Sequence, residues 1–228
     1  VEQLRLSGRG VFFLTNASTA NSVTLAERLT HLGIATDPAA VVAPLTLLGR
    51  HPMLAPGCRA FVVGKDAVRR ALEEAGAEVL ERSDGASVVV LGNDSALTLA
   101  ELSLAARALD GGAALLALNL DRRVPVGGGR AVPGVGALAA LLTTTTGVQP
   151  QLVGKPSAFF FREALNVFAL TPEQAVMVGD SPEADVRGGK RIGMRTVLVG
   201  DAKGDALAAG CQPDVQVPDL TALDRLLL

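Results

Sequence analysis

The sequence predicts an α/β fold in which a Rossmann-like parallel-sheet core is interrupted by a second, inserted α/β domain. Two observations carry this. Short runs rich in Val and Leu alternate with helix-period patterns nearly from end to end, as parallel strands buried on both faces require. Polar or glycine-flanked segments stand where predicted strands end or helices begin, which is where open α/β sheets hold their ligands.

Residues 11–15 read as the first strand. A helix follows over about 21–32, where Val23, Ala26 and Leu29 form an apolar stripe closed by Gly33. A strand at 61–64 leads into a helix at 65–75, with Val68, Leu72 and Ala75 on one face and Arg69, Arg70, Glu73 and Glu74 on the other. Residues 87–91 form another strand, and Thr98 with Glu101 has the reciprocal capping-box spacing that opens a helix carrying Leu102, Ala105 and Leu109. A buried strand at 113–118 precedes a long Pro- and Gly-rich connection at 125–136 and a helix near 137–145. The pattern then resumes with a helix (about 157–169), a strand (175–178), a helix (about 183–192), a strand (196–199) and a closing helix at 220–228. The domain expectation is a core of residues 1–44 and 151–228 and a cap of residues 45–150.

Bulk properties exclude several classes. With 21 basic against 23 acidic side chains and no Trp or Tyr, the chain has neither the field nor the stacking platforms of a nucleic-acid binder. Cys58 and Cys211 have no neighbouring Cys or His to complete a metal-ligand spacing, and two cysteines make no disulfide framework. No apolar run reaches the ~20 residues of a membrane span. A cytoplasmic protein is expected, and any charged ligand must be caught locally.

Three segments carry chemistry. In Leu14-Thr15-Asn16-Ala17-Ser18-Thr19 a strand ends in hydroxyl and amide groups just ahead of a helix, where they can hold phosphate oxygens; taken alone these are turn and N-cap residues. Gly154-Lys155-Pro156-Ser157 offers a point charge before a helix, although a lone loop lysine is usually solvated, and the spacing is not that of a Walker A loop. In Val178-Gly179-Asp180-Ser181-Pro182-Glu183-Ala184-Asp185 a carboxylate stands at a strand end with a second five residues on, hard ligands suited to Mg²⁺; the plain alternative is an N-cap acid and a helix-dipole acid.

The order of the three resembles the haloacid-dehalogenase superfamily, and within it the NagD-like subfamily IIA with a large α/β cap, which includes phosphoglycolate, glycerol-phosphate, pyridoxal-phosphate and nitrophenylphosphate phosphatases. Leu118-Asn119-Leu120-Asp121 and Val132-Pro133-Gly134-Val135-Gly136 also resemble its cap loops. The same Gly134-x-Gly136-x-x-Ala139 is set aside as a dinucleotide fingerprint because it follows a proline-rich loop and not a strand. The resemblance implies a Mg²⁺-dependent phosphomonoesterase for a small phosphorylated metabolite. Thr15 and Asn16 would hold the phosphoryl oxygens and Lys155 would neutralise charge, so that Thr15 and Lys155 carry the catalytic assignment. Asn16, Ser181 and Asp121 would bind substrate, Asp121 having a surface turn as its equal alternative. Asp180 and Asp185 would serve the metal, and the cap would supply a homodimer contact, in which strand 113–118 either takes part or is simply cap core.

The family's nucleophile stands on a strand ending in Asp-x-Asp-Gly, and this sequence contains no Asp-x-Asp. The chain starts at Val1, so a fragment of a longer phosphatase, itself inactive, is one expectation; a non-catalytic binding module or remnant is the other. The absent strand would be central in the family's sheet. Its neighbours are therefore expected either to pair directly or to leave a marginal fold.

Overall fold

The computed structural model describes residues 1–201 and 210–223. They form two compact units, one of Val1–Leu14, Leu25–Val42 and the described part of Lys155–Leu228, the other of Thr15–Thr24 and Ala43–Gly154.

The second unit is built on a five-stranded parallel sheet in the order Glu78–Leu80, Arg59–Val63, Val88–Leu91, Ala114–Ala117, Pro150–Leu152. Val88–Leu91 is central because it has nothing but branched apolar side chains, none more than 1% exposed, and burying each contributes about 1.5–3 kcal/mol. Helices Leu99–Asp110 and Val135–Thr146 set Leu102, Ala105, Leu109, Ala139 and Leu142 against this sheet's Val89, Leu91 and Leu115 in one core cluster. Thr98 and Glu101 close the capping box that their spacing predicts. Leu115 to Leu118 are at most 1% exposed, so these residues belong to the core of the second unit.

The connection read at residues 125–136 is instead an antiparallel hairpin, Arg123–Gly127 with Arg130–Pro133. Its turn uses Gly127, Gly128 and Gly129, all at positive φ, and its strands hold Val124, Val126 and Val132. The Pro and Gly content hid the alternating valines. Helix Val135–Thr146 therefore does follow a strand, which removes the ground on which the dinucleotide reading was set aside.

In the first unit, Phe13–Leu14 pairs in parallel with Val41–Val42, and a separate parallel sheet runs Val176–Gly179, Arg195–Val199, Val215–Val217. The strand at Val41–Val42 and those at Glu78–Leu80, Pro150–Leu152 and Val215–Val217 are too short to show in the pattern. Phe13–Leu14 and Val176–Gly179 do not pair with each other, contrary to one of the expectations for neighbours of an absent strand. Among the described residues each is paired on one side only, and Phe13 and Leu14 are half-buried where Val41 and Val42 are buried. Helix Ala158–Val167 follows an N-cap at Ser157 and buries Phe160, Phe161, Ala164 and Leu165. Of the predicted closing helix, Leu220–Leu223 is a 3-10 turn, and residues 224–228 lie outside the described residues.

Asp214 ties the lower end of the Arg195–Val199 strand. It accepts hydrogen bonds from the Thr196 backbone N–H (2.8 Å), the Thr196 hydroxyl (2.9 Å) and Lys190 Nζ (2.9 Å). Lys190 first, then the Thr196 backbone and hydroxyl, hold its carboxyl down to about 2. A depressed carboxylate adds stability above its unfolded value of 3.8 and loses it as pH falls towards 2. Asp214→Asn should cost about 1 kcal/mol at pH 7, the full linkage being discounted for a side chain that is 39% exposed. Urea titrations at pH 7 and pH 3 check this: the gap between variant and parent should shrink at pH 3.

Candidate active site

In the first unit, the strand Val176–Gly179 ends at Asp180 and the chain enters a π-helical turn, Pro182–Val186, before the short helix Arg187–Lys190. Such turns widen one winding of a helix and recur at functional sites. Here the Val186 N–H reaches back to the Ser181 carbonyl at 3.2 Å, and the Asp185 side chain folds over Gly179. A Cβ on Gly179 would lie 2.2 Å from Asp185 Oδ2, so only glycine permits this packing. Asp185 Oδ2 accepts the Ser181 N–H at 3.1 Å, and Oδ1 accepts Lys155 Nζ at 2.6 Å.

Lys155 also donates to the carbonyl of Leu14 at 3.2 Å, at the end of the strand Phe13–Leu14. Its side chain is 11% exposed and that of Asp185 is 4%, so the reading of Lys155 as a solvated loop charge fails. Both charges lose most of their hydration, and the pair persists because each has further hydrogen bonds. The Lys155–Pro156 peptide is cis. Ser181 is the N-cap of the turn, its hydroxyl oxygen accepting the Ala184 N–H at 3.1 Å. Neither aspartate is therefore the N-cap.

Asp180 is exposed, and among the described residues its carboxylate has no hydrogen-bond partner. No group of three or more His, Cys, Asp or Glu is gathered among those residues. A Mg²⁺ ion needs only one or two protein carboxylates when waters and substrate oxygens complete its shell, and Asp180 fits that share. Asp185 fits it less well, since both of its oxygens are already engaged.

In the second unit, Asn16 Nδ2 donates to Asp121 Oδ1 at 3.3 Å, and Asn119 Nδ2 donates to the Asn16 carbonyl at 2.8 Å. Asn119 Oδ1 in turn accepts the Asp121 N–H at 3.1 Å. Asn119, 4% exposed, thus joins two residues that are 105 positions apart in sequence. The sequence singled out Asp121 and passed over Asn119, although an Asn two residues ahead of an acid has the reach of an Asx turn. Thr15 Oγ1 accepts the Ala17 N–H at 3.1 Å and keeps its own proton to donate.

Three glycines allow this arrangement. A Cβ on Gly154 would lie 2.6 Å from Asn16 Oδ1, one on Gly134 2.2 Å from the Asp121 carbonyl and one on Gly136 2.2 Å from the Leu120 carbonyl. The Gly136 N–H is bonded to the Asp121 carbonyl at 3.0 Å. The glycine pair thus serves the loop at residues 118–122, and its helix N-terminus faces a carbonyl of the same chain, not a cofactor phosphate.

Comparison with known proteins places this geometry in a family. Residues 1–78 match the model of haloacid dehalogenase-like hydrolases and residues 152–223 that of HAD-hydrolase-like proteins. An acid sugar phosphatase of Staphylococcus aureus is 30% identical over 200 residues, 87% of this chain and 76% of its own length. The chain belongs to the haloacid dehalogenase-like hydrolases. Among solved haloacid dehalogenase-like structures, p-nitrophenyl phosphatase from Archaeoglobus fulgidus is 28% identical with a TM-score of 0.85, covering 99% of this chain and 89% of that one. NagD from E. coli K-12 is 26% identical with a TM-score of 0.83, over 96% and 86%. A glycerol phosphate phosphatase from Mycobacterium tuberculosis, solved in complex with magnesium and also with calcium, is similar as well; for the magnesium complex the identity is 28%, the TM-score 0.85 and the coverage 98% and 69%. These likenesses support the NagD-like subfamily and the α/β fold.

The buried pair makes a stability prediction for this haloacid dehalogenase-like chain. Lys155→Met or Asp185→Asn should each cost about 3 kcal/mol in chemical denaturation, because each leaves its partner's buried polar group without its main bond. Combined, the two should cost clearly less than their sum. Additive losses would mean that the two side chains do not interact in solution.

Proposed function

We propose that the protein is a Mg²⁺-dependent phosphomonoesterase of the haloacid dehalogenase type acting on a small phosphorylated metabolite. One observation carries the reading: a lysine that is 11% exposed is fixed between a buried carboxylate and the carbonyl at a strand end, thirty positions from Asp185 and close in sequence to Gly154 and Ser157. A positive charge fixed in this way suits an anion-binding role, because transfer of a phosphoryl group depends mostly on positioning and on fixed positive charge.

The roles follow from the donors. In the second unit the Thr15 hydroxyl and the Asn16 amide are donors of the kind that phosphoryl oxygens need, and in the first unit Lys155 supplies fixed positive charge. Asp180 holds the metal, which neutralises phosphate charge when bound. Asp185 keeps Lys155 oriented and is, on this reading, its partner rather than a direct metal ligand. The Ser181 hydroxyl retains a proton to offer a substrate oxygen while its own oxygen caps the turn. Asp121, held to Asn16, is our candidate for contact with the leaving group.

Covalent phosphoryl transfer also requires a carboxylate nucleophile and an acid for the leaving group. These 228 residues contain no Asp-x-Asp, so the reading gives them binding and positioning but not turnover. The test is hydrolysis of p-nitrophenyl phosphate by the 228-residue chain and by a form extended upstream with a strand ending in Asp-x-Asp-Gly. Only the extended form should turn over, only with Mg²⁺, and Lys155→Ala in it should lower kcat by about 10²-fold or more. An extended form that is inactive, or one indifferent to Lys155→Ala, contradicts the proposal.

A further inference from the structure

Lys155 is held at its tip by the Asp185 carboxylate and the Leu14 carbonyl. A side chain anchored at one end still shifts with the backbone that bears it, so its charge is placed only as well as the Lys155–Pro156 segment is placed. Pro156 has no N–H, and its carbonyl is the one main-chain group by which a hydrogen bond can hold it. Arg191 Nη1 donates to that carbonyl at 3.3 Å, across 35 positions of sequence.

Arg191 is the C-cap of the short helix Arg187–Lys190, which follows the π-helical turn that carries Asp185. Three cations of this stretch reach three different partners: Arg187 pairs with Glu183 in the turn, Lys190 with Asp214 ahead of the strand Val215–Val217, and Arg191 with the segment of Lys155. The helix also lies directly against that segment. A Cβ on Gly188 would stand 3.1 Å from Pro156 Cα and 2.2 Å from Phe161 Cε2. Residues 185–191 thus grip Lys155 twice, by its ammonium through Asp185 and by its neighbour's carbonyl through Arg191. Fastenings at both ends of a side chain restrict it where either alone would let it pivot, and binding that depends on placed charge gains from the restriction.

We propose that Arg191 is a positioning residue for Lys155: it touches no substrate, and it sets the affinity for phosphate by fixing the backbone from which the ammonium is presented. This rests on the phosphatase reading and adds to it a residue that no motif of the sequence singles out. Arginine suits the task, because its planar fork keeps donors aligned at the end of a long exposed side chain. The hydrogen bond to Pro156, and not the charge of the guanidinium, carries the effect.

Calorimetric titration with inorganic phosphate in the presence of Mg²⁺ compares the parent with Arg191→Ala, Arg191→Lys and Lys190→Ala, and requires no turnover. The inference predicts that Arg191→Ala weakens phosphate binding about fivefold, the effect of one hydrogen bond, and that Arg191→Lys, which keeps a donor, restores most of it. Lys190→Ala removes the neighbouring ion pair to Asp214 and is the structural control: it should lower stability in urea and leave the phosphate affinity unchanged. The loss in Arg191→Ala should also persist in added salt, because a positioning bond is not screened as a direct contact between charges is. An affinity unchanged by Arg191→Ala, an equal loss in Lys190→Ala, a loss that lysine does not restore, or one that disappears with salt overturns the inference and leaves the phosphatase reading standing. A parent that binds no phosphate overturns both.

Discussion

The buried ion pair of Lys155 with Asp185 is the constraint to which the rest of the first unit is fitted. Two charges taken out of water are tolerated only when each has its full set of partners. Oδ2 of Asp185 takes the Ser181 N–H, and the ammonium takes the Leu14 carbonyl as well as the carboxylate. Glycine at position 179 makes room for the carboxylate, and the widened turn at Pro182–Val186 brings it there. One amine thus ties the end of the strand Phe13–Leu14 to the turn that follows Val176–Gly179, although the two strands belong to different sheets. Asp180, directly ahead of that turn, is left pointing to solvent with its carboxylate available.

The second unit is governed by close backbone approach. Its sheet is held by ordinary apolar burial, but residues 118–122 are held by polar groups and missing side chains. Gly134, Gly136 and Gly154 stand where any Cβ would strike a carbonyl or the Asn16 amide. Their shared result is that Asn16, Asn119 and Asp121 form one hydrogen-bonded chain. Apolar packing alone would leave such a loop free to shift, and these bonds hold it in place.

Much of this was legible in the sequence, for reasons that can be named. The strand at Val88–Leu91 and the helix opened by Thr98 and Glu101 are specified by local pattern and capping chemistry, and both stand where the pattern sets them. Lys155 and Asp185 were selected by their order and their glycine context. Their direct contact was not legible, because it depends on a π-helical turn that no periodicity announces. Strands of two or three residues, such as Val41–Val42 and Val215–Val217, left no alternation to read. The hairpin at Arg123–Pro133 was hidden by its own glycines and prolines, which signal a turn and conceal the strands on either side. Asn119 was missed because a buried side-chain amide is recognised by what it joins, and its partner Asn16 is 103 positions away.

The central claim is that Lys155 and Asp180 belong to a site for a phosphate group and a divalent cation. Its most direct test is calorimetric titration of the chain with inorganic phosphate, with and without Mg²⁺, in the parent and in Asp180→Asn. The account predicts phosphate binding that strengthens with Mg²⁺ in the parent and loses that dependence in the variant, with circular dichroism showing the fold unchanged. Phosphate affinity that is the same with and without Mg²⁺ and unaffected by Asp180→Asn would contradict it.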